Sequence, residues 1–168
     1  ENYCGSLGKG NDDSSISVPV KINAFNGVDI VDVKSGYANS MALASNGDVY
    51  VWGWNKEGTL GLGDMENKLT PQKINLRGSA IEMKIGFDAF IVKYSDGYYD
   101  VWGDNSEHNY NFVSLDKIIT SPTFTSEPYD DIVPGCYATF LINGSNINVL
   151  GTNKYGTLGL GDNADRVN

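Results

Sequence analysis

The chain is poor in the residues from which most active sites and metal centres are built. Among 168 residues it has one histidine, His108, and two cysteines, Cys4 and Cys136. A Ser-His or Cys-His hydrolase needs a nucleophile held beside a base, and one histidine in a variable stretch offers no such pair. The cysteines lie far apart and match neither a metal-binding pair nor a disulfide framework, so they read as reduced structural thiols and favour a cytoplasmic or nuclear setting. Cations are scarce as well. Against 21 Asp and Glu stand 12 Lys and Arg, a net charge of −9, which disfavours nucleic-acid backbones and anionic membranes and suits a basic partner. No apolar run approaches the roughly 18 residues of a membrane span, and no charged-then-apolar leader opens the chain. The adjacent acids Asp12-Asp13 and Asp130-Asp131 point in different directions along an extended chain. Asp162-Asn163-Ala164-Asp165 lacks the order and the terminal glutamate of a calcium loop. No catalytic residue, metal ligand or cofactor is assigned.

What the chain has instead is repetition. GTLGLGD at Gly58 to Asp64 returns letter for letter at Gly156 to Asp162, each copy preceded by Asn-Lys-x at Asn55 and Asn153. A weaker copy begins at Asn2, keeping Leu7 and its glycines, and another begins at Asn105, where the glycines are gone. Gly36, Gly86 and Gly135 keep the same beat of about 50 residues, as do VYVWG at Val49 to Gly53, YDVWG at Tyr99 to Gly103 and NVLG at Asn148 to Gly151. Three markers with one long period indicate a repeat architecture. The units run over 2–54, 55–104, a degenerate 105–152, and the start of a fourth at 153–168. Because the chain begins inside a repeat and without methionine, it is expected to be a piece of a longer protein.

Each period reads as β-structure. Val28 to Gly36, Ser40 to Ala44 and Val49 to Gly53 are β-prone runs, the last two divided by the Asn46-Gly47 turn, a strong hairpin signal because both central residues need positive φ. Asp96-Gly97 and Asn143-Gly144 repeat it. Val18 to Ile22 and Pro71 to Leu76 supply a fourth, proline-led run suited to a sheet edge. No window carries helical periodicity of ordinary length. The fold expected is all-β, about three four-stranded antiparallel blades of a propeller.

The motif N-x-x-G-x-L-G-x-G-D, followed by a proline-led strand, an I-x-x-G strand, an A-L strand, a D-G or N-G turn and V-Y-x-W-G, resembles the regulator of chromosome condensation repeat family over essentially the whole chain. The resemblance implies a seven-bladed ring, of which this chain supplies about three blades, the others lying in the same or a second chain. It implies a protein-binding or scaffold module within a larger protein or assembly. The family's founding member is an exchange factor for the small GTPase Ran, so guanine-nucleotide exchange on a Ran-like GTPase is the alternative, resting on the resemblance alone. A purely structural component of a large complex is the third. Where the family usually carries a histidine, three residues after the I-x-x-G glycine, this chain has Asn39, Ala89 and Ala138.

The glycine cluster is not a phosphate loop. Its spacing is G-x-x-G-x-G, no helix follows, and Gly8-Lys9 lacks a following Ser or Thr. Gly58, Gly61, Gly63 and Asp64, with Gly156, Gly159, Gly161 and Asp162, therefore read as a structural signature together with Gly36, Gly86, Gly135, Trp52 and Trp102. Trp54 has no periodic counterpart and is a candidate contact residue. The aromatic segment around the missing glycines adds His108, Tyr110 and Phe112 as candidate partner-binding residues, since departures from a repeat consensus map to loops. Tyr37, Phe87 and Tyr137, just after the periodic glycines and alike in bulk, suggest a structural or rim role.

Overall fold

A computed structural model describes residues 2–12, 15–87, 89–106, 110–111, 113–114 and 116–167. Among them, strands form three antiparallel sheets, in keeping with the all-β expectation. The first sheet takes β1 (Ile30–Ser35), β2 (Asn39–Ala44), β3 (Val49–Gly53) and β4 (Lys68–Lys73) in sequential order. The second repeats the plan with β5 (Glu82–Ile85), β6 (Ala89–Lys93), β7 (Tyr99–Asp104) and β8 (Ile118–Phe124). The third has β9 (Asp131–Pro134), β10 (Ala138–Asn143) and β11 (Asn146–Gly151), and a single bridge from Gly151 to Arg166 sits where β4 and β8 begin in the other two. β1 lies against β5 and β5 against β9, which makes these the innermost strands and puts β4 and β8 at the outside.

Register shows how the sheets stack. Lys34, Met41 and Val51 stand opposite one another on β1, β2 and β3, and Val33, Ala42 and Tyr50 form the next row, facing the other way. Met41 and Val51 join a core with Phe90, Trp102 and Met83 of the second sheet, while Ile91, Val101 and Tyr99 on its reverse side meet Ile132, Leu141 and Leu150 of the third. The middle sheet is thus buried on both faces, and each fully buried aliphatic or Phe side chain there contributes about 1.5–3 kcal/mol. Lys84 pairs with Asp131, and Lys93 and Tyr99 Oη both donate to the Asp130 carbonyl, tying the second sheet to the third.

One strand expectation is corrected, and one strand goes beyond the sequence reading. Val18 to Ile22 forms no strand. Among the described residues no strand lies beside it to accept its backbone hydrogen bonds, and Val18 and Val20 are exposed. Conversely, the stretch that departs most from the repeat contains β8. Lys68 on β4 and Ile119 on β8 pair with Gly53 and Gly103, so Thr70-Pro71 and Ser121-Pro122 are equivalent, and the connection before β8 is only one residue longer. Both prolines sit in outer strands, where a missing N–H is tolerated.

Candidate functional site

All the long loops leave the same end of the sheets, after β3, β7 and β11, and each is organised by one buried asparagine. Asn55 Oδ1 accepts the Leu60 N–H at 2.8 Å, while its Nδ2 donates to the carbonyls of Asp64 (3.0 Å) and Glu66 (3.2 Å). Asn105 does the same with Tyr110 N–H, Ser114 and Asp116. Asn153 holds Leu158 N–H and the Asp162 carbonyl, and Asn2 holds Leu7 N–H and the Asn11 carbonyl. One planar amide thus ties positions five and nine residues ahead, which fixes the loop. Asp64 and Asp162 close it by accepting from Glu66 N–H and Ala164 N–H. Lys68 and then the Glu66 N–H hold the Asp64 carboxyl below its usual range, and Arg166 and then the Ala164 N–H do the same for Asp162.

The glycines serve a second purpose. A Cβ on Gly61, at φ +73°, would lie 2.7 Å from Trp102 Cδ1, and one on Gly8 would lie 2.8 Å from Trp52 Nε1. The tryptophan of each blade therefore packs on the loop preceding that blade, and Trp52 also donates to the Ser6 carbonyl at 2.9 Å. In the third sheet Leu150 replaces tryptophan, and the loop position equivalent to Gly61 is Asn111. Both line a cleft of about 450 Å³.

Tyr110 is corrected from a contact residue to a core residue. It stands where Leu60 stands, five residues after the asparagine, is 1% exposed, and its hydroxyl lies 2.7 Å from where a Gly86 Cβ would be. Burial pushes its phenol up to about 12. The signal was its spacing from Asn105, which the aromatic clustering obscured. His108 and Phe112 lie outside the described residues. Trp54 is half-buried and its backbone N–H donates to the Ala38 carbonyl at 3.0 Å, so it starts its loop beside the β1–β2 turn.

Those turns form a rim. Tyr37 is 73% exposed, and Phe87 and Tyr137 are each 47% exposed. Tyr37 stacks on Phe87, with centroids 5.1 Å apart and planes 22° apart, and Tyr37 N–H donates to the Phe87 carbonyl. Gly36 is required by close approach, since its Cβ would be 2.8 Å from that carbonyl. Just below, Asn39 occupies the family's histidine position. It is 1% exposed, and its Oδ1 and Nδ2 have no partner among the described residues.

The middle sheet holds a buried acid. Tyr94 Oη donates to Asp100 Oδ2 at 2.5 Å, and the Arg77 guanidinium, chelated by Asp96, lies 4.0 Å from the Tyr94 ring centroid. Burial raises the Asp100 carboxyl, opposed by the Tyr94 bond and Arg77, and burial followed by the Asp100 bond raises the Tyr94 phenol. This pair stands near the opposite end, by the Asp96-Gly97 turn. Among the described residues no cluster of His, Cys, Asp and Glu could hold a metal ion, and no helix is long and apolar enough to cross a membrane.

The chain is similar to known proteins in sequence and in fold. The Regulator of chromosome condensation (RCC1) repeat matches residues 1–43 and 46–86, and a second description of that repeat matches 30–59. The chain is 29% identical to the Ultraviolet-B receptor UVR8 of Arabidopsis thaliana, over 98% of this chain and 39% of the receptor. In three dimensions it is similar to human WBSCR16, with TM-score 0.80 and 20% identity over 99% of this chain and 44% of that one. It is similar also to yeast RCC1 (Prp20) solved with Kap60, with TM-score 0.78 and 20% identity over 99% of this chain and 42% of that one. The chain spans less than half the length of each of these proteins. With half its residues matched by the repeat and its three sheets built on the asparagine-anchored loops, the chain belongs to the Regulator of chromosome condensation (RCC1) repeat family.

Proposed function

We infer that this chain is a protein-binding propeller module and that its partner docks on the end bearing the β1–β2 turns and the long loops. The observation that carries the reading is the rim of Tyr37, Phe87 and Tyr137, exposed at successive turns where sheet stacking cannot cover them. Large aromatics presented at a fixed spacing on a rigid frame bury much area at little entropic cost. Half-buried Trp54 adjoins the rim. The yeast RCC1 structure contains Kap60, a protein partner of that relative. An intracellular setting, cytoplasmic or nuclear, belongs to this reading, supported by the cysteine usage. A photo-crosslinking residue in place of Tyr37 is expected to capture a protein from extracts of the source cells, and one in place of exposed Asn46, at the other end, is not. Capture at Asn46 alone would overturn the assignment. Exchange activity is expected to be absent, so catalytic amounts of the chain should not accelerate GDP release from Ran.

A further inference from the structure

The chemistry of the rim narrows the partner, an inference that rests on the binding face just described. Exposed apolar side chains fall into two groups. Val33 and Ile147 lie on the outer faces of the first and third sheets, where an adjoining blade would stack. Tyr37, Phe87 and Tyr137 lie in turns at the sheet ends, which stacking leaves open. Tyr37, stacked on Phe87 through one ring face, keeps a π surface for a planar cation. The same end has acid to spare. Among the described residues of its loops, within 2–12, 54–68, 104–117 and 152–166, eight are Asp or Glu and six are Lys or Arg. Lys68 and Arg166 are each held by an aspartate four residues earlier, and Glu57 and Asp116 are exposed beside Lys56 and Lys117. The whole chain carries −9. Within the fold, Arg77 over Tyr94 already shows a guanidinium on a tyrosine face.

We propose that the rim binds a partner segment carrying arginine, its guanidinium stacked on the Tyr37–Phe87 pair and its charge attracted by the acidic loops. Arginine suits this better than lysine because its planar, weakly hydrated head stacks while staying charged. Tyr37 and Phe87 make one platform, and the next turn, with Tyr137, is a further sheet on, with stacked sheets about 10 Å apart. A polyproline II segment turns once in three residues and rises about 3.1 Å per residue, so arginines at i and i+3 share a face and a second one reaches that turn.

The test uses the whole chain and fluorescein-labelled peptides Gly-Arg-Leu-Gly-Arg-Leu-Gly-Arg, with lysine or glutamate replacing every arginine in two others, read by anisotropy. The arginine peptide is expected to bind, the lysine peptide about fivefold more weakly, and the glutamate peptide not measurably. Tyr37→Ser with Phe87→Ser is expected to weaken arginine-peptide binding about tenfold at an unchanged thermal midpoint. If that pair fails to fold, Tyr37→Leu, which keeps apolar bulk without the ring, is expected to abolish the preference for arginine over lysine. Equal binding of the glutamate peptide, or an unchanged arginine preference in folded rim variants, overturns the proposal. Crosslinking at Tyr37 without arginine-peptide binding overturns only the partner chemistry, and absence of both overturns the binding face as well.

Discussion

Two buried asparagines in the first sheet and its loop carry opposite energetic signs. Asn55 satisfies the buried Leu60 N–H and two part-buried loop carbonyls, so Asn55→Ala leaves the N–H unpaired and the loop untied and is expected to cost about 1–3 kcal/mol. Asn39 satisfies nothing described through its side chain, and the equivalent positions are Ala89 and Ala138. Asn39→Ala is therefore expected to lie within about 1 kcal/mol of the parent or to stabilise it. Urea unfolding midpoints of the two variants check this, and equal losses would contradict it. Asp100 gives a pH signature. Its carboxyl is raised in the fold, so the fold binds its proton more tightly than the unfolded chain, and stability from this group falls as pH rises above the unfolded carboxylate value of about 3.9. Asp100→Asn removes that loss while leaving an oxygen for Tyr94, and its stability relative to the parent is expected to improve from pH 4 to pH 8. Asp64 and Asp162 act with the reverse sign, their contribution present above the unfolded value and lost as pH falls.

At the scale of the element, a blade's tryptophan and a glycine in the preceding loop are one unit. In the third sheet both have changed, Leu150 for tryptophan and Asn111 for glycine, and a cleft remains. Leu150→Trp alone is expected to clash with Asn111, whereas Leu150→Trp with Asn111→Gly should recover stability, giving a coupling of about 1–2 kcal/mol in a double-mutant cycle. Additive effects would show that the two do not touch. Strands with glycine turns were legible in the sequence because local φ requirements mark them, and β3, β7 and β11 follow the written motif. β8 was not, since Ser121-Pro122 resembles Thr70-Pro71 only once β7 supplies the register. Tyr110 was hidden for a related reason. A residue type says little about burial when a loop's fixed point, Asn105, decides which side chain turns inward. The rim residues were visible as a spacing, but their common exposure depends on how three turns abut.

For the whole molecule, the stack ends in two faces that no further sheet covers: the first is screened over Tyr50 and Trp52 by Phe25 and the Ser6–Gly8 loop and open along β1, and the other is open. One presents Val33, the other Val133 and Ile147, all strongly exposed. Uncovered repeat faces of this kind associate, so the 168-residue chain by itself is expected to elute from a sizing column as oligomers whose proportion rises with concentration. A concentration-independent monomer would count against that. The rim stands apart from those faces, and this separation leaves it open to the proposed partner whatever covers the stack. Hydrogen–deuterium exchange of the chain with and without the protein crosslinked at Tyr37 tests it most directly. Slowed exchange is predicted at Tyr37, Ala38, Phe87 and Tyr137 and at the Trp54 amide, with the turns at Gly47, Gly97 and Gly144 unchanged. Protection confined to those opposite turns or to the exposed sheet faces would contradict it.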